Sequence, residues 1–152
     1  EQLMLQVGKE TSNSYNVGDA IAYSLENYLP NIPHKPRWVD GSGLSRYNLF
    51  TPEGTVHLLT KMYREIPRDK LLNYFAVGGE SGTLRNWYGG KEKPYVYAKS
   101  GTLSNNYSLS GYIITKKGTF LIFSYMNNHY RLTNSQIRSQ MQEHLSEIYE
   151  KY

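Results

Sequence analysis

Apolar residues follow two rhythms along this chain of 152 residues. Leu3, Met4 and Val7 open it at helical spacing, so residues 1–9 read as the tail of a helix. Val17, Ala20, Ile21, Leu25, Tyr28 and Leu29 predict a second helix, stopped by Pro30 and Pro33. Thr51-Pro52-Glu53 has the marks of a helix start: a hydroxyl cap, proline in the first turn and an acid beside it. Val56, Leu59, Met62 and Tyr63 supply its apolar stripe. Residues 71–75 predict a short helix, and residues 77–88 a glycine-rich connection. The period then changes. Residues 95–100, 108–115 and 119–126 read as strands, with Leu109, Gly111 and Ile113 on one face and a turn at Lys116-Lys117-Gly118. Helical spacing returns in Ile137, Met141, Leu145, Ile148 and Tyr152, behind a cap at Asn134 or Ser135. The expected fold is α/β of the α+β kind: helices, then three antiparallel strands, then a terminal helix.

Composition narrows the class. The length suffices for a domain with a real core. No apolar run approaches the roughly 20 residues that span a bilayer. Cysteine is absent, which excludes a thiol nucleophile and a cysteine-based zinc site. The net charge of +4 comes from dispersed residues, among them Lys91, Lys93, Lys99, Lys116, Lys117, Arg131 and Arg138, so a nucleic-acid partner is not expected. Fifteen tyrosines suit strands and interfaces; a carbohydrate or peptide groove is the other reading. The chain opens at Glu1 inside an apolar-periodic stretch, and is expected to be a piece of a longer polypeptide that starts within a helix.

The candidate chemistry centres on Lys99-Ser100-Gly101-Thr102, at the end of a strand that opens a hairpin. Taken alone, Lys99 reads as an edge-strand charge that deters aggregation. Alternation also places Lys99 and Ser100 on opposite faces, so both serve one site only at a strand edge. No serine has a lysine three residues on. Two Ser-x-Asn strings occur, Ser14-Tyr15-Asn16 and Ser104-Asn105-Asn106, both in turn-like clusters. In Asp40-Gly41-Ser42-Gly43-Leu44-Ser45-Arg46 the glycines suggest tight turns, Asp40 a cap, and Arg46 an ion pair, which favours a structural role. His34, His57, His129 and His144 lack ligand spacing, so neither a metal nor a cofactor is expected.

Four segments carry a resemblance. Residues 40–48 resemble the Asp-Gly-Ser-Gly-Leu-Ser-Arg signature of the class C low-molecular-mass penicillin-binding proteins, the D-alanyl-D-alanine carboxypeptidase/endopeptidases. Ser81-Gly82-Thr83-Leu84-Arg85 resembles that family's Gly-Thr-Leu segment. Tyr97-Ala98-Lys99-Ser100-Gly101-Thr102-Leu103 resembles its Lys-Thr-Gly-Thr-Leu strand, with Ser100 for the usual threonine, and Leu109-Ser110-Gly111-Tyr112 the strand after it. Order and spacing fit along nearly the whole chain.

The resemblance implies that residues 1–152 are the C-terminal portion of a serine carboxypeptidase domain. The Ser-x-x-Lys and Ser-x-Asn motifs would lie outside them, and the isolated chain would be inactive. Lys99 would face the nucleophile, attract the substrate carboxylate and help move a proton to the leaving D-alanine. Ser100 would bond that carboxylate, Gly101 would let substrate backbone approach, and the Thr102 N–H would serve the oxyanion hole, worth roughly 3–4 kcal/mol. Implied partners are peptidoglycan stem peptides ending in D-Ala-D-Ala, with β-lactams as inhibitors, in an extracytoplasmic or periplasmic setting. Self-association of the cut chain is a further expectation. The other readings are a serine β-lactamase or esterase of the same fold, and a non-catalytic cell-wall binding module.

Overall fold

A computed structural model describes residues 1–152. It divides into two compact units, Glu1–Leu58 and Leu59–Tyr152.

In the first unit, α1 (Gln2–Ser12) ends on Asn13 in the left-handed conformation, and α2 (Val17–Asn27) packs beside it. Asn16 caps α2, its side chain accepting from the N–H groups of Gly18 and Asp19. Ala20, Ile21 and Leu29 are buried, while Tyr28 is exposed and drops out of the expected stripe. A two-residue bridge, Arg37 with Leu49, closes a loop whose N–H···O bonds measure 3.1 and 2.7 Å. α3 (Pro52–Glu65) starts in this unit and continues into the second from Leu59; it begins as expected, with the Thr51 hydroxyl accepting from the Gly54 N–H at 3.0 Å.

In the second unit, α4 (Arg68–Leu72) precedes β1 (Ala76–Val77) and a 3-10 turn (Gly82–Leu84). Then come β2 (Val96–Leu103), β3 (Asn106–Ile114), β4 (Phe120–Asn128) and α5 (Asn134–Lys151). The sheet order is β1-β2-β3-β4, antiparallel throughout. The three expected strands and the terminal helix are present, and β1 adds a fourth strand of two residues. The expected helix over 71–75 lies three residues earlier, because Pro67 caps it and its missing N–H costs nothing at a helix start. The cap of α5 is Thr133, not Asn134 or Ser135. Thr133 and Gln136 form a reciprocal capping box, which satisfies two terminal N–H groups at once. The stripe of α5 also closes early: Tyr152 is exposed and Tyr149 instead packs on Tyr95, 4.6 Å between ring centroids.

The sheet has two unlike faces. Val96, Ala98, Tyr107, Leu109 and Ile113 share one with Leu84, Tyr88 and the Ile137, Met141 and Leu145 stripe of α5. Each aliphatic side chain buried there contributes about 1.5–3 kcal/mol. Gly111 belongs to this face through its pairing with Ala98, and a Cβ there would meet the Tyr97 carbonyl oxygen at 2.1 Å. On the opposite face Tyr112 packs with Leu59 and Leu71, flanked by Met62, Phe75, Tyr97, Phe120 and Ile122. The Tyr112 hydroxyl donates to the Leu59 carbonyl at 2.9 Å. No helix is long and apolar enough to cross a membrane.

Candidate active site

The edge of β2 is half covered. β1 pairs only Ala76 with Ala98 and Val77 with Tyr97, and the Gly78 N–H reaches the Val96 carbonyl at 2.9 Å. Val96 and Ala98 therefore turn their backbone groups toward β1. Antiparallel alternation gives Ser100 and Thr102 the same direction, beyond the point where β1 stops. Lys99 and Gly101 turn theirs toward β3, opposite Ser110 and Ser108. The chain thus holds a short unpaired edge whose N–H and C=O groups belong to Ser100 and Thr102.

Side-chain contacts gather Lys99, Ser100 and Thr83 at this edge. Ser100 is buried on the α5 face, and its hydroxyl lies 2.7 Å from the hydroxyl of Thr83 in the 3-10 turn. Lys99 is exposed and starts on the opposite face, yet its ammonium curls back to donate to the Ser100 carbonyl. That contact resolves the problem posed by alternation: the two side chains leave opposite faces, and the lysine returns to the shared edge. With the Ser100 carbonyl so occupied, the Thr102 N–H and C=O are the exposed backbone pair of that edge. At Gly101 a Cβ would meet the Ser108 hydroxyl at 2.8 Å, so a side chain there would push that hydroxyl aside.

Three of the four resembling segments meet here. The turn with Thr83 lies against β2, and Leu109-Ser110-Gly111-Tyr112 pairs with β2 from Ser100 back to Tyr97. The fourth, residues 40–46, lies in the first unit and is bound up in its own hydrogen bonds. The Asp40 carboxylate accepts from the Asn48 side chain at 2.8 Å, the Ser42 N–H at 3.2 Å and the Ser42 hydroxyl at 3.0 Å. These bonds, Asn48 first, hold its carboxyl below the usual range against a smaller opposing effect of desolvation. Gly43 has φ 72° and Gly41 bonds Glu1, so the segment is a braced loop. Arg46 makes contacts of its own within the fold.

The remaining candidates have local duties. Asn16 of Ser14-Tyr15-Asn16 is the α2 cap, and Ser104-Asn105-Asn106 makes the β2–β3 turn, with Asn105 at φ 58°. His34 lies 3.0 Å from Glu53, and His144 Nδ1 lies 2.8 Å from the Tyr125 hydroxyl. In the sequence Thr83 stands out only as part of a resembling segment. Its bond to Ser100 spans seventeen positions, beyond the reach of any local pattern.

The model of the D-Ala-D-Ala carboxypeptidase 3 (S13) family matches residues 4–148. The chain is 34% identical over 137 residues to the D-alanyl-D-alanine carboxypeptidase of Actinomadura sp. strain R39, covering 84% of this chain and 25% of that protein. It is 32% identical over 94 residues to the D-alanyl-D-alanine carboxypeptidase DacB of Haemophilus influenzae, covering 60% and 20%. The chain thus spans a quarter or less of these relatives' length. The crystal structure of penicillin-binding protein 4 of H. influenzae superposes with a TM-score of 0.82 at 21% identity, over 97% of this chain and 36% of that one. A penicillin G-acylated predatory endopeptidase of Bdellovibrio bacteriovorus gives 0.64 at 21% identity, over 97% and 45%. These likenesses establish the fold, and the match across residues 4–148 establishes the lineage: the chain belongs to the D-Ala-D-Ala carboxypeptidase 3 (S13) family.

Proposed function

We propose that this chain supplies the Lys-Ser-Gly-Thr wall of a serine D-Ala-D-Ala carboxypeptidase/endopeptidase acting outside the cytoplasm on peptidoglycan stem peptides. The observation that carries this reading is the free edge of β2. A peptide ending in D-Ala-D-Ala lies along it as an added strand, bonded to the Thr102 N–H and C=O. The nucleophilic serine and its general base come from polypeptide other than these 152 residues, which contain no Ser-x-x-Lys. The serine oxygen adds to the penultimate D-Ala carbonyl, and the oxyanion draws on the Thr102 N–H. The C–N bond then breaks, the terminal D-Ala leaves with a proton, and water hydrolyses the ester. Lys99 and Ser100 act on the terminal carboxylate, the lysine by charge and the serine by its hydroxyl. Gly101 keeps the strand close to its neighbour, and β-lactams imitate the same acyl donor.

The test is fluorescent-penicillin labelling of the protein that joins these residues to a Ser-x-x-Lys segment, with and without Lys99→Ala, beside the 152-residue chain. Labelling of the joined protein alone, reduced tenfold or more by Lys99→Ala, is the expected result. A joined protein that never labels sinks the reading, as does a Lys99→Ala variant that labels at the parent rate.

A further inference from the structure

The sheet face that carries Lys99 changes character partway along. Toward one end it is apolar, with Tyr97, Tyr112, Phe120 and Ile122 in one cluster. Toward the other it presents hydroxyls in register. Lys99 pairs with Ser110, and Ser110 pairs with Ser124. Directly paired residues place their side chains on the same face. The hydroxyls of Ser110 and Ser124 lie 2.9 Å apart, and both residues are half-buried. These hydroxyls alternate with Leu109, Phe123 and Tyr125 of the α5 face and sit where the Lys99 face passes from the Tyr112 cluster to polar side chains.

The hydroxyls and the ammonium of this lane have hydrogen-bonding capacity to spare. The Ser110–Ser124 bond uses one donor and one lone pair, so the two hydroxyls keep three lone pairs and one donor. The Lys99 ammonium has three donors, of which the Ser100 carbonyl takes one. Two donors remain on a flexible stem rooted beside those lone pairs.

We propose that Ser110, backed by Ser124, is a positioning residue for Lys99: it is a second anchor for the ammonium on the sheet face, complementary to the anchor at the Ser100 carbonyl. The proposal rests on the acyl-enzyme reading of the site for its consequence, but not for its geometry. With both anchors available the ammonium is held between edge and face, with or without a ligand at the edge. Without Ser110 it keeps only the edge anchor, and the lysine spends less time in the reactive arrangement.

Two measurements test this. In the joined protein, Ser110→Ala is expected to slow penicillin acylation about five- to twentyfold with little change in the initial binding constant, and Ser110→Thr to restore most of the rate. A parent rate in Ser110→Ala, or a slow Ser110→Thr that melts like the parent, overturns the proposal. In the 152-residue chain, 13C relaxation of the Lys99 Cε methylene reads the anchor without any nucleophile. Its order parameter should fall in Ser110→Ala and return in Ser110→Thr, and an unchanged value also overturns the proposal. If the joined parent fails to label while the Lys99 signal responds, the functional reading falls and the anchor stands.

Discussion

The hydroxyls of Thr83 and Ser100 share a hydrogen bond of 2.7 Å, tying a 3-10 turn to the strand that carries the candidate site. Ser100 replaces the threonine usual in the motif, and a serine side chain has more rotamer freedom than a β-branched one. The Thr83 bond restores that order from outside. Thr83→Val should therefore loosen the Ser100 hydroxyl at a cost of about 1 kcal/mol. In the joined protein penicillin acylation should slow about fivefold, while Thr83→Ser keeps the parent rate. Equal rates for all three would show that the bond does not orient Ser100.

The backbone role of Thr102 can be separated from its side chain. Its N–H faces the free edge, so Thr102→Pro deletes the donor without removing a ladder hydrogen bond to β3. The variant should fold, with strand content unchanged by circular dichroism. Its acylation should drop 100- to 1000-fold, the loss associated with one oxyanion donor of about 3–4 kcal/mol. Thr102→Ala, which keeps the N–H, should stay within tenfold of the parent. A proline variant that labels normally would place the oxyanion donor elsewhere.

Gly111 tests the close approach of β2 and β3. A Cβ there would meet the Tyr97 carbonyl oxygen at 2.1 Å and the Ala98 Cα at 2.6 Å, both backbone atoms that cannot turn aside. Gly111→Ala should cost about 3 kcal/mol, near the upper end for overpacking. Gly118→Ala is the control: φ is 84° but no neighbour lies within 4 Å, so its cost is about 1–2 kcal/mol of backbone strain. Urea midpoints of the two variants of the 152-residue chain should fall in that order.

These contrasts mark where sequence reading reaches and where it stops. Thr51-Pro52, the Lys116-Lys117-Gly118 turn and the Ile137, Met141, Leu145 stripe are decided by neighbours a few residues away, and each lies where its pattern placed it. β1 has two residues, too short for any period, and exists only because Ala98 and Tyr97 offer it a ladder. Motif order marked out Lys99 and Ser100. Their meeting at one edge depends on a side chain folding back, which alternation cannot express. Gln136 could have been recognised as half of a capping box with Thr133, since Thr-x-x-Gln is a local signal. The Thr83 bond had no local signal at all.

The alkaline limit of stability should trace to buried phenols. Burial pushes Tyr112 up to about 12 from its ordinary 10, and burial together with the nearby Tyr149 does the same to Tyr95. Folding thus favours the protonated phenol, while the unfolded chain starts to ionise near pH 10. The stabilisation is whole below pH 10 and is lost as pH rises through about 12. At pH 7, Tyr112→Phe should cost about 1 kcal/mol, because it deletes the bond to the Leu59 carbonyl. At pH 11 the parent has lost part of its advantage and the variant has not, so the gap between their urea midpoints should narrow. It should not vanish from the whole alkaline transition, since Tyr95 still titrates in both chains. A gap of constant size from pH 7 to pH 11 would mean that Tyr112 ionises as readily in the folded chain as in the unfolded one.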